Sequence, residues 1–427
     1  MVSRRALIAA TAAAPVALAS QSRRDPYLTG LRDQYRADLF DDFLPFMDRF
    51  AIDHERGGFM CAVDRDGTQV SSDKDSWYEG RGIWVYSFLY RNFGRKPEYL
   101  EVARKSVEFV LPLRPSGGGT WPRRFSREGR PLSGSDSQIY GNLFIAEGLA
   151  EYAHASGQRR YQDLALEILF EAVSLYDRPD YAPEIGQTYL GPDAQPFPGA
   201  RILGVWMVLL RAATQILEKG PDPRVEQLAD RCVDAILRKH LNPNFGLINE
   251  LINHDLSRPA NEYAQLVYTG HAIETLWMVL FEAIRRRDRK LFDETAAHFR
   301  RHVEVAWDDV YGGFFRNLQH VDNNVWSVDK VLWLQEEVLI GMLAVMEHTG
   351  AAWAREWFER ANRHVREKYP LRQYGFPLWM VSGDRKVTFV RPASRVEHYH
   401  HPRHLMLNLL ALDRMIARGG RPAGILR

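Results

Sequence analysis

The chain alternates between long stretches with apolar residues on one helical face and short loops of glycine and aromatic residues. Ile83, Tyr86, Leu89 and Tyr90 fall at i, i+3, i+6 and i+7, the spacing of a helix that buries one stripe. Leu332, Val338, Leu339 and Met342 mark a second such face. Followed along the chain, the pattern predicts about twelve helical segments. They cover 27–51, 77–94, 97–112, 135–156, 158–176, 198–218, 222–240, 262–286, 288–306, 327–349, 351–368 and 401–417. The loops between them repeat. Gly57-Gly58-Phe59 is followed by Asp66-Gly67, and Gly118-Gly119-Thr120-Trp121 by Glu128-Gly129. Related loops stand at Asn244-Phe245-Gly246, Gly312-Gly313-Phe314-Phe315 and Tyr374-Gly375-Phe376, with Leu190-Gly191-Pro192 as a degenerate member. Their starts are roughly 60–70 residues apart, which marks an internal repeat of helix pair plus hairpin.

Helix pairs repeated in this way extend as a solenoid or close into a ring. Several of the segments mix charged residues with aromatics: Arg81 with Trp84, His271 and Glu274 with Trp277, Trp333 with Glu337. Buried Arg and Glu cost free energy unless they pair or line a wet cavity. A closed ring around a polar funnel meets that condition better than an open solenoid. The expected fold is therefore all-α, an (α/α)6 barrel with short β-hairpin loops, formed by residues 20–427 as one domain.

Composition narrows the function classes. Hydrophobic residues make up 45% of the chain, which fits a globular protein rather than a disordered one. Ser3-Arg4-Arg5, then the apolar run Ala6–Ala14, then Ala17-Leu18-Ala19, has the order of an export signal, and the paired arginines resemble the twin-arginine type. Residues 1–19 are thus expected to be removed and the remainder to be periplasmic or secreted. Loss of Arg4 and Arg5 takes the formal charge from +2 to 0. Neither nucleic acid nor an anionic membrane is favoured by such a balance. Cys61 and Cys232, the only cysteines, make no disulfide framework, and buried free thiols are expected.

Two histidine segments carry the candidate chemistry. His271 lies in a Gly-His step at the front of an apolar helix, with Glu274 one turn on, placed to orient the imidazole or hold a sugar hydroxyl. His400 stands in a run with His398, His401 and His404, followed by Pro402-Arg403. His400 and His404 have helical metal-ligand spacing, but Pro402 read as the first helical residue leaves His400 in the loop, and no metal is expected. Histidine titrates near neutral pH, so a facing pair can take a proton from one side of a carbon and return one to the other. Arg81, near Trp84, suits an oxygen that gains negative charge. Trp333 with Glu337 offers an aromatic face and a carboxylate, a pairing that fits a sugar. No dinucleotide fingerprint, P-loop or Gly-x-Ser-x-Gly occurs.

Gly57-Gly58-Phe59, Asp64-Arg65-Asp66-Gly67, Gly80 to Tyr86, Gly270 to Glu274, Gly312 to Phe315, Lys330 to Glu337 and His400 to Arg403 follow one another in an ordered set. The set resembles the N-acylglucosamine 2-epimerase family, which includes cellobiose 2-epimerases and mannose-type aldose–ketose isomerases. The resemblance covers nearly all of the chain after residue 20. It implies an (α/α)6 barrel and a sugar substrate. It also implies catalytic histidines at His271 and His400, and Arg81 at the carbonyl end. Substrate contacts are expected from Trp84, Glu274, Trp333, Glu337 and Arg403. No cofactor is implied, and a homodimer is. The chain departs from the family pattern at Thr269, around Pro377, at Arg395-Val396-Glu397-His398, and at Arg201-Ile202-Leu203-Gly204, which lacks a histidine found in cellobiose epimerases. Two other readings stand beside it: a glycoside hydrolase or lyase using carboxylates among Glu250, Glu274 and Glu337, and a non-catalytic sugar-binding barrel.

Overall fold

The computed structural model describes residues 25–183, 185, 187–371, 373–374, 380–388 and 398–426. Residues 1–19, Gly375-Phe376, Pro377 and Arg395-Val396-Glu397 lie outside them. The first helix, α1 (Pro26–Ala37), starts where Asp25 accepts the Tyr27 amide at 3.0 Å and Pro26 needs no hydrogen-bond acceptor. It runs through a wider turn, Asp38–Phe43, into α2 (Leu44–Phe50). There follow α3 (Ser76–Asn92), α4 (Pro97–Val110), α5 (Tyr140–Ser156), α6 (Arg159–Tyr176) and the single turn α7 (Gln187–Leu190). Then come α8 (Leu203–Leu217), α9 (Pro223–Asp234), α10 (Thr269–Arg286), α11 (Arg289–Ala306), α12 (Leu332–Thr349), α13 (Ala352–Lys368) and α14 (His400–Ala417).

Six of these helices form an inner ring. α3, α5, α8, α10, α12 and α14 pack side by side in that order, and α14 meets α3 to close it. An outer helix covers each: α4 on α3, α6 on α5, α9 on α8, α11 on α10, α13 on α12 and α1 on α14. The expected (α/α)6 barrel is the observed architecture. Burial explains the sorting. α12 is buried at every position from Leu332 to Glu347, as a helix enclosed on all sides must be. α11 buries only a stripe, including Phe292, Phe299 and Val303. Charged residues of the inner helices find partners on the same or neighbouring elements. Glu147 accepts from Gln215 at 2.8 Å and from the Tyr399 hydroxyl at 2.9 Å, with Arg211 at 3.3 Å.

Helix starts expected at 135, 198, 262 and 327 come later, at Tyr140, Leu203, Thr269 and Leu332. The residues before them serve other hydrogen bonds. Arg201–Ile202 pairs antiparallel with Leu251–Ile252, and Asp329–Val331 with Met380–Ser382. The loop repeat has a matching structural basis. Lys74 binds the Gly57 carbonyl at 2.6 Å and Asp53 at 3.1 Å, while Glu79 accepts the Phe59 amide at 2.9 Å. Lys330 binds the Gly312 carbonyl at 2.7 Å and Asp308 at 2.5 Å, while Gln335 accepts the Phe314 amide at 2.9 Å. Both cysteines are buried thiols outside any disulfide, as expected, and Cys61 Sγ lies 3.6 Å from His398 Nδ1.

α3 and α5 approach closely enough to set the site. A Cβ on Gly80 would stand 2.3 Å from the Phe144 backbone, and one on Gly148 would stand 2.4 Å from the Gly80 carbonyl. That approach places Arg81 over the Phe144 ring at 4.2 Å. Gly80→Ala is expected to push the helices apart, lowering stability by about 1–3 kcal/mol. Chemical denaturation measures the loss, and a raised KM in the same variant registers the displaced Arg81.

Candidate active site

The inner helices begin around one mouth of the ring, and there a cavity of about 790 Å³ opens. Its wall includes Arg81, Tyr140, Phe144, Tyr189, Tyr268, His271, Glu274, Arg316, Trp333 and His400. The two histidines distant in sequence therefore share one chamber. The Trp333 indole sits between them, with ring centres 6.0 Å from His271 and 5.2 Å from His400. Gly270 makes the arrangement fit, because a Cβ there would lie 2.5 Å from the Trp333 ring.

His271 is the third residue of α10. Its Nδ1 stands 2.8 Å from Glu250 Oε1, which also accepts the Tyr189 hydroxyl at 2.8 Å. Glu250 is fully buried. Its backbone is fixed on both sides, its carbonyl accepting from Leu203 and its amide donating to Leu266. Burial disfavours the charged imidazole, but the Glu250 charge and hydrogen bond outweigh it, and His271 is held above the ordinary histidine range. With the Nδ1 proton directed at Glu250, Nε2 is the nitrogen that exchanges protons. Glu274, expected to orient this ring, turns elsewhere.

His400 opens α14, with Pro402 as its third residue, so the loop position expected for His400 is corrected. The first turn of a helix leaves its N–H groups without intrahelical acceptors, and proline is tolerated throughout it. His400 Nδ1 lies 2.9 Å from Glu337 Oε1 and 3.7 Å from Glu274 Oε1. Arg403 is buried below and joins the two carboxylates, at 2.5 Å from Glu274 and 2.6 Å from Glu337. The Trp277 indole N–H donates to Glu337 Oε2 at 2.6 Å. Burial raises the Glu337 carboxyl above its usual range, with Arg403 and Trp277 opposing it. Both imidazoles thus have Nδ1 against a buried carboxylate, His400 Nδ1 lying also 3.1 Å from the Arg403 guanidinium.

Other expected contacts divide. Arg81 and Trp333 face the cavity, and Glu274 reaches its wall. Arg403 and Glu337 do not face it; they hold His400 from behind. Trp84 is fully buried beneath, donating to Gln215 at 2.7 Å and packed on Phe88 and Tyr399. It is core rather than a sugar platform. Lys330 ties its glycine loop and takes no part in the cavity wall. Glu250, Tyr189, Tyr140 and Arg316 were not assigned to the site from sequence, except Glu250 as a hydrolase carboxylate. Only the Leu190-Gly191-Pro192 loop hinted that chain near 189 reaches the mouth.

Two carboxylate–histidine clusters have the composition of metal sites, Glu336–His401–His404 and Glu274–Glu337–His400. In the second, the Arg403 guanidinium already supplies the positive charge. In the first, Asn408 donates to the Tyr35 hydroxyl, which bonds His404 Nε2 at 2.8 Å and leaves the ring proton on Nδ1. That proton faces Glu336 at 3.6 Å, and His401 Nδ1 hydrogen-bonds the same carboxylate. The cluster is a buried hydrogen-bonded group at the start of α14.

Residues 57–402 match the sequence profile of the N-acylglucosamine 2-epimerase (GlcNAc 2-epimerase) family. An N-acylglucosamine 2-epimerase of Bos taurus is 27% identical over 379 residues, covering 86% of this chain and 87% of the relative. A cellobiose 2-epimerase of Bacteroides fragilis is 24% identical over 387 residues, covering 83% and 92%. The solved cellobiose 2-epimerase of Spirochaeta thermophila superposes with a TM-score of 0.77 at 20% identity, covering 92% of this chain and 99% of that one.

Proposed function

The chain belongs to the N-acylglucosamine 2-epimerase family, and we propose that it epimerises a reducing sugar at C2 by proton transfer between His400 and His271. The supporting observation is the pair of imidazoles flanking Trp333 in one cavity, each fixed at Nδ1 by a buried carboxylate. Opening of the sugar ring exposes the C1 carbonyl and acidifies the C2 hydrogen. His271, whose hold on its proton Glu250 strengthens, protonates the ring oxygen in that step and takes up the proton that the anomeric hydroxyl releases as the carbonyl forms. His400 Nε2 takes the C2 proton, and the electron pair moves into an enediolate whose oxygen charge develops near Arg81. Return of a proton to the opposite face of C2 from His271 gives the epimer. Return to C1 gives a ketose.

The hydrolase reading is disfavoured by the carboxylates themselves. Hydrolysis needs two of them facing the glycosidic bond. Glu250 is committed to His271 and Tyr189, Glu274 to Arg403, and Glu337 to His400, Arg403 and Trp277. A panel of reducing monosaccharides and disaccharides followed by NMR decides the matter. C2 epimers support the proposal, new reducing ends indicate a hydrolase, and unchanged sugars indicate a binding protein.

We further propose that the protein is exported through its N-terminal segment, on the sequence order given above. Mass spectrometry of protein from the periplasm or medium is expected to find a chain beginning near Ser20. Intact Met1 in a soluble cytoplasmic pool contradicts export. A homodimer is proposed from the family resemblance, with sedimentation as its check.

A further inference from the structure

The wall of the cavity contains a residue that the mechanism above leaves unused. Tyr189 lies in the single-turn helix α7, on a segment between α6 and α8 that crosses the cavity mouth. Its hydroxyl donates to Glu250 Oε1 at 2.8 Å, the same oxygen that receives His271 Nδ1. Glu250 Oε2 is buried and has no hydrogen-bond partner among the described residues. One carboxylate oxygen therefore carries both bonds, and the tyrosine is the neutral donor that shares it with the imidazole. The Tyr189 backbone is itself held, its carbonyl accepting from Asn317 at 3.0 Å and Gln319 at 3.4 Å. Its ring packs edge-on against Tyr268, which packs in turn on His271.

We propose that Tyr189 is a positioning residue, which through Glu250 fixes the His271 ring and sets how firmly that ring keeps its proton. The inference rests on the assignment of His271 to proton transfer. The physical argument is one of charge distribution. A neutral O–H donated to a buried carboxylate delocalises its charge and competes with the imidazole for it. Without the hydroxyl, Glu250 attracts the His271 proton more strongly. The other charged and titratable groups facing the ring are Glu274 on its own helix, Arg316 from the loop after α11, and Tyr268; Tyr140 from α5 crowds the same corner, against Gly204 and His271. Glu274 favours the charged ring and Arg316 disfavours it, and the substitution moves neither.

The test is Tyr189→Phe, which keeps the ring and removes one oxygen. Two readouts are taken on the intact chain. The first is the NMR titration of the His271 ring, assigned through its loss in His271→Asn. Its midpoint is expected to move upward by about half a pH unit or more, with the His400 resonance unmoved. The second is the pH profile of C2 exchange, whose alkaline limb is expected to shift upward with it while kcat falls and KM changes little. An unmoved His271 midpoint in a folded Tyr189→Phe overturns the proposal. The NMR titration needs no turnover, so it decides the role of Tyr189 even if no sugar is epimerised; loss of exchange in the unsubstituted protein counts against the functional reading alone. Tyr189→Leu separates packing from hydrogen bonding. If it matches Tyr189→Phe in midpoint, the hydroxyl is responsible; if only Tyr189→Leu shifts it, packing is, and the proposal fails.

Discussion

His400→Asn is expected to abolish proton exchange at C2 of the sugar while leaving the fold intact. Asparagine is close to histidine in size, and its amide can still donate to Glu337, so the buried carboxylate keeps a partner. It offers no nitrogen that accepts a proton near neutral pH. Removing a general base costs on the order of a hundredfold to ten-thousandfold in rate. Loss of the imidazole removes its ring contacts with Trp333 at 5.2 Å and Tyr399 at 5.6 Å, a small change to the core. Deuterium wash-in measured by NMR reports the rate, and a melting curve reports the fold. Near-native exchange in a folded variant excludes His400 as the base.

Arg403→Leu is expected to cause the largest loss of stability of any substitution discussed. The guanidinium is buried and is the shared cation between Glu274 and Glu337. Leucine leaves two buried carboxylates facing each other across an apolar side chain. Breaking a buried pair from one side costs about 3–5 kcal/mol, because the remaining charges lose the guanidinium that offsets them and gain no water in its place. Denaturant titration should show that loss. Adding Glu274→Gln to Arg403→Leu is expected to recover part of it, since one uncompensated charge is removed. If the double variant is no more stable than the single one, the charge explanation fails and stacking of the Arg403 guanidinium on Tyr399 and Trp277 accounts for the effect.

The features legible in the sequence were those with local causes. Apolar periodicity located the helices, because one stripe or full enclosure leaves a pattern within a few turns. Two copies of the glycine-aromatic repeat were legible because they use the same local bonds, as Lys74 and Lys330 show. The starts of α8 and α12 were placed early because a two- or three-residue strand precedes each, and so short a strand has no period to read. The support of the histidines was not legible. Glu250 reaches His271 because Arg201–Ile202 pairs with Leu251–Ile252, and Leu203 binds the carbonyl of the residue just before that strand. Glu274, one turn from His271 in sequence, points along the ring to Arg403 instead. Trp84 failed for a related reason: it lies one turn deeper than Arg81, below the cavity floor, where an indole serves packing. Tyr189 had no sequence signal, standing in a segment whose only mark was a degenerate loop.

The central claim is that two imidazoles exchange protons with C2 of one sugar from opposite sides. The most direct measurement is the fate of solvent deuterium in the His271→Asn variant, compared with the unsubstituted protein. With a sugar shown to react, the unsubstituted protein is expected to place deuterium at C2 of the epimer. His271→Asn retains the C2 base, so it is expected to exchange slowly at C2 of the starting sugar while forming no epimer. Epimer formation by a folded His271→Asn at an undiminished rate contradicts the account.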